Sequence, residues 1–542
     1  MSITTRLVTL LDQAVKAEFE RFDAKTGRFL KPLDGPPAPD ARPEDIGWGI
    51  INQDIIYPLA LLYTTPESEF YQNPDVLQMA LLGGDAIRQF QQPDGQVEFL
   101  KTDGSRWGFT YMCWTNYAWL ETYQLLKNHL GSERRKEWET GLRLAHDGQK
   151  LEVEKLPLHN IPAWKGMSCW RAGQIFQRAD WQEAGRNMCR AIARAQHPDG
   201  YWPEQGGPST LYNCVYVHSL GLYYHYSGDE AVLPALEKSA EFHQTFCYPD
   251  GTLVETVDGR VRYHSHLSLF GWPGFLCTPK GRRLTRLMAE NLQAGRDITN
   301  FQGGSIASAI QHWKENDSES INLDQPAFQI NYRNKAAIFR NENAFACLSA
   351  FQAAPVNNRW GLDRQSFFSL WLEKLRLLVG GGNSKEQPEF SSFLAAGKFI
   401  PDQAELSEDG SCLNLHYGPV TCSLSCKMEK DRIRLQTEAQ NGPALQQLML
   451  QLKAGSRLRL SNGKETILSL EHPVSWRPQE LGNILELDGC TIHLPPNTHF
   501  RWPVFPFNPY AADGAAGFGA ENALLSVRLD GQPVGWEFHP KD

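Results

Sequence analysis

Through the first two thirds of the chain, apolar residues return every three or four positions, the period of a helix with one buried face. AVLPALEKSAEFHQTF (231–246) and WQEAGRNMCRAIARAQ (181–196) are clear cases, and Leu7, Leu10, Leu11, Val15 and Phe19 predict an amphipathic helix at the N-terminus. Asp-Gly dipeptides punctuate these helices at Asp94-Gly95, Asp147-Gly148, Asp199-Gly200 and Asp250-Gly251, at intervals of 53, 52 and 51 residues. Three have like surroundings, QQPDGQVEF, AQHPDGYWPE and CYPDGTLVE, which read as tight turns between a helix and a short extended stretch. One further step lands near Gly303-Gly304. Fifty-odd residues hold two helices and their loops, so each beat predicts one helical hairpin. Hairpins on such a period bury their faces on one another as an open solenoid or a closed ring. The segments after each turn, YMCWTNYAWLETY, LHNIPAWKGMSCW, LYNCVYVHSLGLYYHY and RYHSHLSLFGWPGF, are strongly aromatic, which favours a ring with a shared interior. About six or seven hairpins fit before residue 355.

Near Ala354-Pro355 the pattern changes. ENAFACLSAFQ predicts a last helix, FFSLWLEKLRLLVGGGNS fits helix and strand equally, and the remainder alternates apolar and polar residues between Asn-Gly and Asp-Gly turns. The expected fold is therefore α+β and multidomain: an N-terminal (α/α) toroid over 1–355 and an antiparallel β-sandwich over 356–542. A chain of 542 residues exceeds what one core organises, which agrees.

Composition narrows the function. A net charge of −9 provides no basic face for a nucleic-acid backbone. No stretch reaches the roughly 18 apolar residues of a membrane span, and the N-terminus lacks the apolar run and cleavage site of an export signal. The eleven cysteines include no C-x-x-C pair, so neither a zinc motif nor a disulfide framework is expected, and a reducing, cytoplasmic setting fits. His416, His472, His493 and His499 show no ligand spacing, so no metal is expected, and no cofactor motif appears. Oligomeric state is left open.

Counting from the turns places Asn160, Asn213 and His264 at offsets of 13, 14 and 14 residues. His159, Tyr212 and Tyr263 precede them, so three successive hairpins are expected to present His-Asn, Tyr-Asn and Tyr-His at one height. Polar groups converging in this way suit chemistry better than packing, because buried polar atoms need partners. Helix capping by the Asn and His residues is the competing explanation. Asn116 joins the set if an insertion is allowed, and Trp114 and Trp202 offer stacking faces. The stretch ETVDGRVRYHSH adds Glu255, Arg260, Arg262 and His266 beside Tyr263. A guanidinium there either favours the phenolate or grips a substrate carboxylate.

These residues resemble the polysaccharide lyases built from an α/α toroid and an antiparallel β-sheet domain, the heparinase II/III-like and alginate-lyase group. Asn213 followed by ETVDGRVRYH carries the resemblance. It implies that Asn213 neutralises a uronate carboxylate, that Tyr263 takes the C5 proton and returns one to the glycosidic oxygen, that Arg260 tunes or binds, and that His264 or His159 assists. An acidic polysaccharide or oligosaccharide is the implied partner. Cys214 stands where such lyases often carry a His after the Asn, so His159 or His218 would have to substitute.

Two other classes compete. A glycoside hydrolase on the same toroid needs paired carboxylates, and Asp54, Glu121, Glu204 and Glu255 are available but share no offset in the repeat. A non-catalytic uronide-binding protein would use the same rim without turnover. The Asp-Gly turns also look like those of terpene-cyclase toroids, but the acidic D-x-D-D cluster is missing and a β-rich tail is foreign to them.

Overall fold

The computed structural model describes residues 2–29, 51–100, 106–298, 300–314, 328–509, 511 and 513–541. Helices α1 (Ile3–Phe19), α2 (Ile56–Thr64), α3 (Pro74–Phe90), α4 (Cys113–Leu126), α5 (Ser132–Val153), α6 (Asn160–Phe176) and α7 (Ala179–Arg194) are followed by α8 (Thr210–Ser227), α9 (Leu233–Thr245), α10 (Trp272–Phe275), α11 (Pro279–Asn291), α12 (Ala294–Asp297) and α13 (Asn300–His312). Helices α2, α4, α6, α8, α10 and α13 each pack on the next, and α13 returns to α2. Each has an outer partner, α3, α5, α7, α9, α11 and α1 in turn, so six helical pairs close a toroid among the described residues.

The inner and outer layers differ in sequence for a physical reason. Helix α2 is enclosed on all sides and buries all but its last residue, whereas α7 buries one stripe, Trp181, Ala184, Gly185, Met188, Cys189 and Ile192, and leaves charges on the other face. Among the described residues no helix is long and apolar enough to cross a membrane. All eleven cysteines are free.

Three of the four Asp-Gly dipeptides are the expected turns. Gly95, Gly200 and Gly251 have φ near +90°, where a side chain is strained. Their amides donate to Gln92, His197 and Tyr248. The fourth is a correction: Asp147-Gly148 lies inside α5. Asp147 there accepts from Trp181 Nε1 (2.9 Å) and Arg178, as Asp85 on α3 accepts from Trp138 Nε1 (2.8 Å) and Arg134. Asp147 is thus the structural counterpart of Asp85, and the offsets counted from it are out of phase.

The β domain begins earlier than residue 356. Strands run over Phe328–Tyr332, Ala336–Arg340 and Ala344–Ser349, so the helix expected at ENAFACLSAFQ is a strand, and residues 367–379 form a strand hairpin. The change from helix to strand falls between His312 and Phe328. Two antiparallel sheets of ten and nine strands pack face to face. In the nine-stranded sheet, Cys412–Tyr417 alternates buried and half-buried residues, the mark of one covered face. Ala344–Ser349 and Phe368–Leu372 are buried throughout, because their sheet lies between the sandwich core and the toroid. Their outer face meets α9 and the following loop through Phe242, Phe246, Tyr248, Val254 and Val257 against Ile338, Phe345, Trp371 and Leu377. Buried on both faces, these strands lose the alternation that identifies a strand.

Candidate functional site

A cavity of about 810 Å³ opens where the toroid rim meets the ten-stranded sheet. The toroid contributes the first turns of α6 and α8 and the irregular segment 253–270; the β domain contributes Trp360, Arg376, Gln451, Lys453, Asn508 and Asn522.

The start of α6 supplies His159 and Asn160. His159 is the N-cap: its Nδ1 accepts the Ile161 amide at 3.3 Å, which leaves the proton of the neutral ring on Nε2. Burial and the charge of Lys165 hold His159 below the usual imidazole range, so it is a neutral donor. Asn160 donates to Glu204 Oε1 at 2.8 Å, and Tyr216 donates to the same oxygen at 2.9 Å.

Asp258 fixes the start of α8 to the segment that follows α9. Its buried carboxylate accepts from Ser209 Oγ, Thr210 Oγ1 and the amides of Leu211, Arg260 and Val261. Removing it in Asp258→Ala leaves several buried donors without an acceptor, so we expect a loss of about 3 kcal/mol or more, read by urea unfolding. Arg260, positioned by that turn, lies between the rings of Tyr212 (4.8 Å) and Trp360 (5.2 Å) and donates to Trp360 O at 2.8 Å.

Tyr263, His264 and His266 line the same wall, with the two imidazole rings 5.1 Å apart. The Tyr263 hydroxyl lies 3.3 Å from Thr252 Oγ1. Burial, and next Asp250, push its pKa up, so the resting side chain is a neutral phenol. A resting phenolate, one of the two alternatives offered for Arg260 or Arg262, does not agree with this, and the Arg260 guanidinium is engaged between Tyr212 and Trp360. Arg262 is different: among the described residues its guanidinium has no hydrogen bond or ion pair, and burial alone lowers it to about 10. A desolvated cation facing a cavity is a receptor for an anion.

Glu255 is 1% exposed and joins the two domains. The Tyr248 hydroxyl donates to its Oε2 (2.7 Å) and lies 2.9 Å from Ser369 Oγ, and the Gly381 amide donates to its Oε1 (3.1 Å). Gly381 O in turn accepts the Tyr263 amide at 3.5 Å. This close approach requires glycine: Gly380, Gly381 and Gly382 all have positive φ, and a Cβ on Gly380 would stand 2.4 Å from Glu255 Oε1. Burial outweighs the hydrogen bonds and pushes the Glu255 carboxyl up to about 7. A carboxyl that holds its proton more tightly in the folded state adds stability below about pH 4.3, and loses it as pH rises through 7. The unfolding free energy of the wild type should therefore fall by about 2 to 3 kcal/mol more than that of Glu255→Gln between about pH 5 and 8.

Of the sequence-derived set, His159, Asn160, Tyr212, Glu255, Arg260, Arg262, Tyr263, His264, His266 and Trp114 line this cavity. Three residues do not. Asn213 is fully buried, with Oδ1 accepting the Trp202 amide (3.0 Å) and Nδ2 donating to Ser239 Oγ (3.2 Å). The caps explain the error: His159 and Ser209 begin their helices, so Asn160 corresponds to Thr210, and Asn213 to the buried Ala163. Trp202 is stacked on Tyr216 (5.0 Å) and donates to Ile192 O, a packing role. Asn116 is buried on α4 away from the cavity. His218, the other substitute for the missing histidine, is buried against Trp164 and lowered to about 3 by desolvation. Of the carboxylates weighed for hydrolysis, Glu204 and Glu255 reach the cavity, whereas Glu121 is paired with Arg171 and Asp54 is buried outside the cavity lining. Trp360, Arg376, Gln451 and Lys453 were not anticipated, because nothing in the sequence tells which strand end meets the toroid.

No family model and no curated protein matches the sequence. Solved structures do match. Paenibacillus xanthan lyase superposes with a TM-score of 0.53 at 12% identity, over 99% of this chain and 57% of that one. The chondroitin AC lyase of Streptomyces coelicolor A3, solved with chondroitin sulphate, gives 0.52 at 11% identity, over 99% and 79%. The chain thus spans little more than half the length of the xanthan lyase. Six helical pairs closed into a ring, followed by stacked antiparallel sheets that wall one side of a cavity on its rim, give this chain the fold of the toroid-plus-β-sheet polysaccharide lyases.

Proposed function

We propose that the protein is a lyase that cleaves a uronate-containing polysaccharide or oligosaccharide by β-elimination. The observation that carries this reading is Arg262: a cavity-facing guanidinium with no described protein partner, on the same short segment as Tyr263, His264 and His266. The proton on C5 of a uronate is weakly acidic, and its removal needs cationic or hydrogen-bond donors already aimed at the carboxylate. Arg262, with the donors of Asn160 and His159, takes the neutralising role that the family resemblance gave to Asn213.

Elimination then breaks the C5–H and C4–O bonds and forms a C4=C5 double bond. Tyr263, a neutral phenol at rest, donates its proton to the departing glycosidic oxygen. The C5 proton goes to an imidazole on the same wall, His264 or His266, imidazole being the side chain that ordinarily exchanges protons near neutrality. The rings of Tyr212 and Trp360, which flank Arg260 in the cavity lining, offer their remaining faces for stacking.

Hydrolysis keeps one supporting observation, since Glu204 and Glu255 share the cavity. Glu255 nevertheless spends both oxygens on Tyr248 and Gly381, and Glu204 is held through Oε1 alone by Asn160 and Tyr216, so the two do not form the pair of free carboxyls that hydrolysis needs. Incubation with a panel of polyuronates tests the proposal. Ultraviolet absorbance from the conjugated 4,5-unsaturated product is expected; new reducing ends without that absorbance would establish hydrolysis, and binding without either would establish a non-catalytic receptor.

A further inference from the structure

We infer that the outer face of the nine-stranded sheet carries a divalent transition-metal site made of His493, Glu537 and His539. It shares no residue with the cavity and does not depend on the proposed reaction.

Strand register brings the three together. Strands 490–493 and 534–540 pair antiparallel, with His493 directly opposite Glu537 and His539 two residues further along the second strand. Residues directly opposite, and those two apart on one strand, share a face. Ile492, Trp536 and Phe538 point into the sandwich core, which sends His493, Glu537 and His539 outward. One donor atom from each lies within 4.8 Å of the others. The two imidazole rings are 4.8 Å apart, and His539 Nε2 is 3.4 Å from Glu537 Oε2.

The surroundings orient these groups toward an ion. Glu537 Oε1 accepts from Arg434 Nε at 3.0 Å on the neighbouring strand, which fixes the carboxylate and turns Oε2 toward the imidazoles, as an outer-shell partner of a metal ligand does. Arg432, the other nearby cation, is engaged by Glu429 at 2.6 Å and reaches Glu537 on the same Oε1 at 3.7 Å, away from the imidazoles. Among the described residues the His493 ring makes no hydrogen bond, so binding an ion would break none of its contacts. Two imidazoles and one carboxylate suit zinc rather than calcium or magnesium, with water in the open position. Ligand atoms about 2.0 to 2.2 Å from one tetrahedral ion stand about 3.3 to 3.6 Å apart. The exposed His493 side chain needs to shift by about 1 to 1.5 Å to close the present 4.8 Å. His493 stands 44 and 46 positions before Glu537 and His539 in sequence, so spacing gives no sign of the group and points to no metal at all.

The test uses the full chain, stripped of metal and titrated with zinc chloride against a chromophoric chelator. One zinc per chain with micromolar affinity is expected. His493→Ala and His539→Ala, both surface changes, should each weaken binding at least about tenfold while leaving the circular dichroism spectrum unchanged. Zinc should also raise the unfolding temperature of the wild type and not of either variant, because it ties strand 534–540 to strand 490–493. Absence of binding up to about 100 µM zinc, or binding that both variants retain, as partly exposed Cys412 would give, overturns the site.

Discussion

Tyr263→Phe is expected to lower turnover at least about a hundredfold, the usual contribution of a positioned proton donor, with substrate affinity and unfolding midpoint close to wild type. Among the described residues the hydroxyl's one hydrogen-bonding contact is the 3.3 Å approach to Thr252 Oγ1, so the ring can keep its place against Tyr248 without it. Because burial keeps the phenol protonated, the loss should appear in kcat and not in KM. A variant that keeps more than about a tenth of the wild-type rate would remove Tyr263 from the chemistry.

Arg262→Gln carries an opposite pair of effects that separates a binding cation from a structural one. If the guanidinium receives the substrate carboxylate, kcat/KM should fall about a hundred- to a thousandfold, as when a preorganised donor to developing charge is removed. The folded protein should not suffer, since among the described residues the half-buried guanidinium has no hydrogen bond or ion pair whose loss would cost stability. Steady-state kinetics on the active polyuronate, beside urea unfolding, reads both. Lost stability with unchanged kinetics would mark Arg262 as part of the framework and remove the main support for a uronate substrate.

The same observations explain what was legible beforehand. Helices with one buried stripe, such as α7, and strands with one covered face, such as Cys412–Tyr417, write their environment into an alternation that can be counted. Elements enclosed on both sides do not. Ala344–Ser349 lies between the toroid and the sandwich core, so AFACLS has no polar beat and reads as a helix. The turn count worked where Pro-Asp-Gly makes a turn, and failed at Asp147-Gly148, where the same dipeptide is held in α5 by Trp181 and Arg178. That slip made Asn160 and Asn213 seem counterparts, whereas Asn213, counted from the genuine turn at Asp199-Gly200, falls one helical turn inside α8 and packs.

The sequence by itself determined the helical ring, the later β domain and the segment from Glu255 to His266 as the chemical one, because periodicity, turn residues and clustered polar groups are local properties of the chain. Only the tertiary structure decided which of those groups meet. Arg260 was captured by Tyr212 and Trp360 while Arg262 stayed without a described partner, Glu255 was locked to a glycine loop 126 residues away, and His493 came to face Glu537. Those outcomes depend on burial and on contacts between distant segments, which desolvate one charge and pair another in ways that no local pattern records.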